Sequence, residues 1–423
     1  MAPAMKHKYL HFVDFSTLLL WDIKRYFATQ VLSSYPIVRL GDYINEESAK
    51  YSISNPTNTY GILGVNNKDG IFDAYLEKGS KIKQKYKKMQ VGWIAYNPYR
   101  INVGSIGMRT DKQEYEYISP AYVVFSCKQG LLPEFLYRLM KTDLFNKIIR
   151  ENTTGSVRQN LNFSILSNLQ IPLPSLEEQN KIVAAYNNTL DLADQYEQHA
   201  KAVGNNIQQY IIEQLGFSII NSDNCTPTTL MYYRNLSELS VRWDVWNITK
   251  SCYNGEYELI SLSKVIKMSS GQFLPAKAQI DGQYNVYGGN GKTGTHNKYC
   301  FSGKRIVIGR VGEYCGNVHL IDGEYWITDN ALKVDKIYDG ITWEFLAIAL
   351  EALNINQYKS ISAQPSISQS KILQLQIPLP PINVQNEIVE RVFKQKEQIK
   401  SLRTLAANTR TEAIQQFEKT IFK

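Results

Sequence analysis

Apolar residues in two long stretches recur at the spacing of a helix face. Ile182, Tyr186, Leu190, Ala193, Tyr196, Ala200, Val203, Ile207, Tyr210 and Leu215 follow one another mostly at steps of three and four, which places them on one side of a helix as a heptad-like seam. Near the end of the chain Ile388, Val392, Ile399, Leu402, Ala406, Ala413, Phe417 and Ile421 repeat the pattern in threes, fours and sevens. Pro174 and Pro380 mark the two starts, and Gly216 is placed to cap the first. About 40 residues at ~1.5 Å each make a rod of roughly 60 Å. Such a rod needs a mate to cover its seam. The remaining apolar positions form short β-like runs broken by glycine-rich turns, with helical spacing again over residues 134–150 and 343–354.

The two helical stretches are introduced by one motif. Residues 169–183, LQIPLPSLEEQNKIV, return 206 residues later as LQIPLPPINVQNEIV, with ten of fifteen positions identical. Each copy reads as an apolar strand end, a Pro-x-Pro break and a helix start. The repeat covers most of the chain. Trp21-Asp22 matches Trp243-Asp244, Gly64-x-Asn66-x-Lys68-x-Gly70 matches Gly288-x-Asn290-x-Lys292-x-Gly294, and Glu134-Phe135-Leu136 matches Glu344-Phe345-Leu346. The order is globular unit, long helix, globular unit, long helix. Two symmetric copies are usually related by a twofold axis, which would make the helices antiparallel. Their charges agree: residues 176–215 sum to −4 and residues 382–423 to +3.

Charge changes the picture at one further place. The whole chain carries +8, and residues 71–110 alone carry +6. Between Gly70 and Trp93 the first unit has about a dozen residues that the second lacks, and they hold Lys78, Lys81, Lys83, Lys85, Lys87 and Lys88. The run is interleaved with Tyr75, Tyr86 and Trp93 and leads into Asn97-Pro98-Tyr99-Arg100. Lysine and arginine neutralise phosphates, whereas asparagine, glutamine and arginine can read base edges. Both kinds stand side by side here.

Candidate chemistry removes more than it adds. Gly291-Lys292-Thr293 lacks the upstream glycine of a P-loop, where Val286 stands instead. Asn97-Pro98-Tyr99 is one proline short of the Asn-Pro-Pro-Tyr of adenine methyltransferases and reads better as a turn. The five histidines show no zinc spacing, and no Ser/His/Asp grouping can be picked out. Five single cysteines, Cys127, Cys225, Cys252, Cys300 and Cys315, favour reduced thiols. No signal peptide or run of about 18 apolar residues is present, so a soluble, cytoplasmic chain without a catalytic centre or bound metal is expected.

These features together resemble the specificity subunit of type I restriction-modification systems. The residues that carry the likeness are the twice-repeated I-P-L-P-x-x-x-x-Q, Trp243-Asp244, the G-x-N-G-x-x-G turn at residues 288–294, and the Gln159-Asn160-Leu161 and Gln364-Pro365-Ser366 segments. The resemblance implies a mixed α/β fold: two similar target recognition domains, separated and followed by long helices that form an antiparallel, pseudo-twofold coiled coil. The expected divisions are a first recognition domain at 1–172 with an N-terminal segment 1–34, a spacer helix at 173–216, a second domain at 217–378 and a C-terminal helix at 379–423.

Each domain would read one half of an asymmetric, bipartite double-stranded DNA site, and the helices would set the gap. Two methyltransferase subunits, carrying S-adenosylmethionine, would dock on the spacer helices, whose seam is marked by Ile182, Tyr186, Tyr196, Ile207, Ile388, Val392, Ile399 and Phe417. A separate motor subunit would use ATP and Mg, and no cofactor is expected on this chain. Basic or amide groups on turns are the candidate DNA contacts: Lys83, Lys85, Lys87, Asn97, Arg100, Arg109, Arg158 and Gln159, and then Asn290, Lys292, His296, Lys304, Arg305, Arg310 and Gln364. A coiled-coil adaptor that does not read DNA is the alternative; it accounts for the helices but not for the basic insertion.

Overall fold

The computed structural model of the protein describes residues 31–53, 55–152, 160–216, 255–360 and 365–422. The contacts divide the chain into two compact units, residues 1–195 with 405–423, and residues 196–404. The matching Trp-Asp pairs at 21–22 and 243–244 lie outside the described residues, as does most of the segment 1–34.

In the first unit the strands run β1 (Ile37–Arg39), β2 (Ile44–Glu46), β3 (Lys50–Tyr51), β4 (Thr59–Asn66), β5 (Gly70–Lys78), β6 (Tyr86–Lys88), β7 (Ile94–Tyr96), β8 (Ile106–Met108), β9 (Tyr117–Ile118) and β10 (Val123–Cys127). Helices α1 (Pro133–Met140), α2 (Asp143–Asn152) and α3 (Phe163–Ser167) follow, then β11 (Gln170–Pro172) and the 40-residue α4 (Leu176–Leu215). The strands make three sheets, ordered β1-β11, β2-β10-β7-β8 and β3-β6-β9-β4-β5. The helical spacing at residues 134–150 is realised as two helices. The Thr142 hydroxyl breaks the run by accepting from the Phe145 N–H at 3.3 Å while donating to the Leu139 carbonyl.

The second unit repeats the scheme. It holds β12 (Leu259–Ser261), the single-turn α5 (Leu262–Val265), β13 (Ile266–Ser270), β14 (Tyr284–Gly288), β15 (Gly291–His296), β16 (Phe301–Ser302), β17 (Arg305–Gly309), β18 (Val318–Ile321), β19 (Glu324–Ile327) and β20 (Ala331–Ile337). Helices α6 (Trp343–Ala352) and α7 (Gln369–Leu373), strand β21 (Gln376–Pro378) and the 40-residue α8 (Ile382–Ile421) complete it. Its sheets are β12-β21, β13-β20-β17-β18 and β15-β14-β19-β16. In both units the long hairpin adds a parallel strand on one side, β4 to β9 and β14 to β19. The lysine-rich insertion becomes a longer β5, a 3-10 turn at Gly79–Lys81 and the pairing of β6 with β3.

The hairpins correct the alignment of the glycine turns. Gly70 and Gly291 each open the second strand with left-handed backbone, φ 71° and 79°, and each pairs with the last residue of the preceding strand. Gly70 therefore corresponds to Gly291, whereas Gly294 lies within β15. The first turn has one residue more than the second, so equal spacing of glycines misplaced the match; the left-handed position is what the geometry requires.

The repeated I-P-L-P motif forms a clasp. Ile171 and Ile377, both fully buried, sit in β11 and β21, which pair antiparallel with β1 and β12 at the entrance of each unit. The glutamine five residues beyond the second proline closes it. Gln179 is fully buried; its amide donates to the carbonyls of Gly130 and Pro174, both at 2.9 Å, and its oxygen accepts from Leu132 N–H at 2.8 Å. Gln385 does the same with Gly340 (2.7 Å), Pro380 (2.9 Å) and Thr342 (3.0 Å).

Both long helices contribute to both units. In the first unit Tyr186 meets Phe417 edge-on with ring centroids 5.6 Å apart, and Asp194 pairs with Arg410 at 2.9 Å. In the second unit Arg391 lies over the Tyr210 ring at 4.0 Å, and a methyl group placed on Gly204 would meet Ile399 at 3.8 Å. In each unit the partner's number falls as the residue number rises, so the two helices run antiparallel there. Ile182 and Phe417 join the core of the first unit, Ile207, Ile388 and Val392 that of the second, with Tyr196 and Ile399 packed against it. Asp194 and Arg410 form an ion pair that links the helices. The apolar seam therefore does more than the charge complementarity, since exposed ion pairs contribute only ~0–1 kcal/mol.

Cys127, Cys300 and Cys315 are free thiols. Burial pushes the Cys127 thiol up to about 12, so it stays protonated at pH 8. Alkylation at that pH is expected to label Cys127 far more slowly in the folded protein than after denaturation, as peptide mass mapping would show.

Candidate nucleic-acid interface

In each unit three segments that are distant in sequence come together. The first is the turn of the long hairpin, residues 67–69 or 289–290. The second is the loop joining the two inner strands, β7 to β8 or β17 to β18. The third is the segment just before α3 or α7. The carbonyl of Pro98 accepts from Leu161 N–H at 3.0 Å, and that of Arg310 from Ile367 N–H at 2.9 Å. These are corresponding bonds. In the first unit Ser105 Oγ donates to the Val65 carbonyl at 3.2 Å. The Lys141 ammonium reaches the carbonyls of Asn67 and Gly104, both at 3.3 Å, and burial lowers its pKa. In the second unit Gly312 N–H donates to Pro365 at 2.8 Å, and Gly289 lies so close that a methyl group there would fall 2.7 Å from the Val311 carbonyl. Only glycine permits that approach.

The expected contact residues separate under this geometry. Asn97 and Arg100 stand in the β7–β8 loop, where Asn97 Oδ1 accepts from Tyr99 N–H at 3.0 Å and makes the expected turn; Arg100 is exposed. Arg310 holds the corresponding loop of the second unit, its guanidinium donating to Ser270 Oγ at 3.2 Å. Asn290 is exposed on the adjoining hairpin turn, and Lys292 follows it in β15. Lys83 and Lys85 are exposed beyond the 3-10 turn of the insertion. Arg158, Gln159 and Gln364 lie outside the described residues.

Five other expected contacts have partners within the protein. Lys87 is 5% exposed and its ammonium donates to the Tyr122 carbonyl at 2.9 Å, because its position in β6 faces the core. Arg109 is partly buried and donates to the Met89 carbonyl at 2.6 Å, fastening the loop before Trp93. His296 is 5% exposed, with Nδ1 at 3.1 Å from Ile280 N–H and its ring against Trp326. Lys304 pairs with Glu344 at 2.5 Å, a bond that raises its pKa. Arg305 is half-buried, donating to the Lys304 carbonyl at 2.8 Å with its guanidinium 6.0 Å from the Trp343 ring.

Lys141 was not legible in advance. Nothing in the pattern around it distinguishes it from any other basic residue at a helix end, yet it ties the hairpin turn to the loop. Among the described residues no group of three or more His, Cys, Asp or Glu could hold a metal ion, and no helix is long and apolar enough to cross a membrane.

Comparison with known proteins bears on this arrangement. A family model described as the type I restriction modification DNA specificity domain matches residues 35–202 and again residues 254–408. A curated relative, the type I restriction enzyme EcoprrI specificity subunit of Escherichia coli, is 34% identical over 130 residues, 30% of this chain. That match spans 32% of the relative's own length. Among solved structures, a chain from work on complex assembly and conformational transition of the type I R-M system aligns with a TM-score of 0.58 at 16% identity, covering 93% of this chain and 97% of that one. This likeness is one of fold. The type I restriction-modification S subunit from M. genitalium aligns more loosely, with a TM-score of 0.47 at 14% identity over 92% of this chain and 97% of that one.

Proposed function

The chain belongs to the type I restriction modification DNA specificity family, and from that premise we propose that it is the sequence-reading subunit of a type I restriction-modification complex. Each unit reads one half of a split double-stranded DNA site. The observation that carries this reading is the recurrence of one loop cluster in both units, with basic and amide groups on or beside it: half-buried Asn97 and exposed Arg100 in the first, exposed Asn290, Lys292 and Arg310 in the second. Arginine and asparagine can each make paired hydrogen bonds to a purine edge in the major groove. Because the two clusters carry different residues, the two half-sites differ.

The long helices fix the gap. Each is built into both units, and DNA presents the same face every ~34–36 Å, so a rigid element joining the readers sets both distance and phase. Two methyltransferase subunits dock along these helices and supply adenine N6 methylation from S-adenosylmethionine; a motor subunit supplies ATP- and Mg-dependent cleavage. This chain binds, orients and selects, and the bond-making steps belong to its partners in the cytoplasm. An adaptor role without DNA reading finds no observation in its favour once both loop clusters are accounted for.

Mapping methylated adenines in cells that carry the chain with its modification subunits tests the reading. A bipartite, asymmetric motif is expected; a continuous motif, or methylation unaffected by loss of this chain, would overturn it. The exposed lysines contribute differently. Replacing Lys83 and Lys85 together by alanine is expected to lower the slope of log affinity against log salt by about 1–2 while leaving the selected sequence unchanged. A changed sequence would mean that these side chains read bases.

A further inference from the structure

The loop that joins the two inner strands presents an exposed tyrosine in each unit. Tyr99 is 57% exposed and Tyr314 is 48% exposed, whereas Tyr96, at the end of the strand that enters the first loop, is fully buried. Both rings stand on loops that are hydrogen-bonded within themselves. In the first loop Tyr99 N–H donates to Asn97 Oδ1 at 3.0 Å. Arg100 N–H donates to the Asn97 carbonyl at 3.0 Å, and Ser105 N–H to the Arg100 carbonyl at 3.1 Å. In the second the Tyr314 carbonyl accepts from Asn317 N–H at 3.1 Å, Gly316 N–H returns to the Gly309 carbonyl at 2.8 Å, and Cys315 N–H donates to Gly312 at 3.1 Å. Cys315 is itself fully buried beneath the loop. The backbone is fixed and the ring is left in water.

The two loops correspond although their residues do not. Both span the gap between the inner strands and both turn back at a left-handed glycine, Gly104 at φ 83° and Gly316 at φ 93°. Each holds a tyrosine and an arginine, adjacent as Tyr99-Arg100 and four residues apart as Arg310 and Tyr314. A rigid tyrosine offers large apolar contact area at small entropic cost, because few torsions must be stilled on binding. Resting on the DNA-reading role proposed above, the geometry points to Tyr99 and Tyr314 as specificity-determining residues, each meeting a base of its own half-site through the ring while the neighbouring arginine engages a phosphate or a purine edge. Their different positions along otherwise matching loops give the two units different reading frames.

Selection from a duplex pool randomised across both half-sites, with the full chain assembled with its methyltransferase subunits, tests this. Discrimination is scored position by position among the molecules that bind, so reduced overall affinity does not hide the result. Tyr99→Ala is expected to reduce discrimination on the order of 10- to 100-fold at one or two positions of one half-site only. Tyr314→Ala should do so in the other half only, and Tyr99→Phe should retain the wild-type preference. Unchanged discrimination in both halves, or equal loss in both, would overturn the assignment. If the wild-type complex selects no bipartite site at all, the DNA-reading role fails and not merely the choice of tyrosines.

Discussion

Removing one heptad from both long helices together, residues 187–193 with 410–416, is expected to shorten the unread gap of the DNA site by about three base pairs. Seven residues at ~1.5 Å are about 10 Å of helix, and duplex DNA rises ~3.4 Å per base pair. Seven residues also return a helix to within ~20° of the same face, so the seam still meets its partner. The two cuts lie in one stretch of the pair, beyond the contact of Tyr186 with Phe417; the Asp194–Arg410 pair is lost with them, at small cost because both side chains are partly in solvent. Both half-sequences should survive intact. Methylation should become less efficient, because three base pairs also turn the DNA face by roughly a hundred degrees, given 10–10.5 base pairs per turn, and the helices do not follow. Methylome mapping reads both outcomes, and altered half-sequences with an unchanged gap would sink the spacer role. The same deletion in α4 alone should leave the helices out of register and lower the melting temperature without defining a new gap.

Gln179→Leu is expected to destabilise the first unit by on the order of 3–6 kcal/mol. Leucine matches the volume but leaves the carbonyls of Gly130 and Pro174 and the N–H of Leu132 without the partner that the amide supplies, and each buried unsatisfied group costs ~1–3 kcal/mol. Against a total of ~5–15 kcal/mol for a folded domain, that is a large share. Gln385→Leu should do the same to the second unit. Denaturant unfolding of single and double variants would measure it; a shift below ~1 kcal/mol would mean that water replaces the amide and that the joint does not depend on it.

How far the sequence was legible follows from the range over which each signal acts. The helix seam was readable because periodicity is local: Ile182, Ile207, Ile388 and Phe417 are all buried where the spacing puts them. Val183 and Ile211, equally buried, fall one step off the ideal track and were missed. The joint was visible as a repeat, but its chemistry was not. The prolines drew attention, whereas the glutamine that both copies share is the residue that fastens the helix start to the loop before α1 or α6. Among the basic residues, exposure was the undetermined quantity. Lys85 and Lys87 are two positions apart in sequence, a separation that strand alternation would put on one face, yet Lys85 stands just outside β6 and is exposed, whereas Lys87 within it is buried on the Tyr122 carbonyl. His296 and Lys304 were judged by residue type, yet both are held by partners, Ile280 and Glu344, that only tertiary contact supplies. The loop cluster was beyond reach for the same reason. Pro98 and Leu161 are brought together by the sheet, and nothing in the spacing between them says so.

The contribution of residues 405–423 to the first unit reverses the order in which the two units can be finished on the ribosome. Phe417 and Ile421 are buried in the core that holds Phe135 and Ile182, and the ring of Phe417 lies 5.8 Å from that of Phe135. The first unit emerges first and must wait, with part of its core uncovered, until more than two hundred further residues have been made. The second unit has every residue it needs once residue 404 is synthesised. A premature stop a few codons short of residue 417 would therefore damage the half of the protein that was translated earliest, and spare the half translated just before the break.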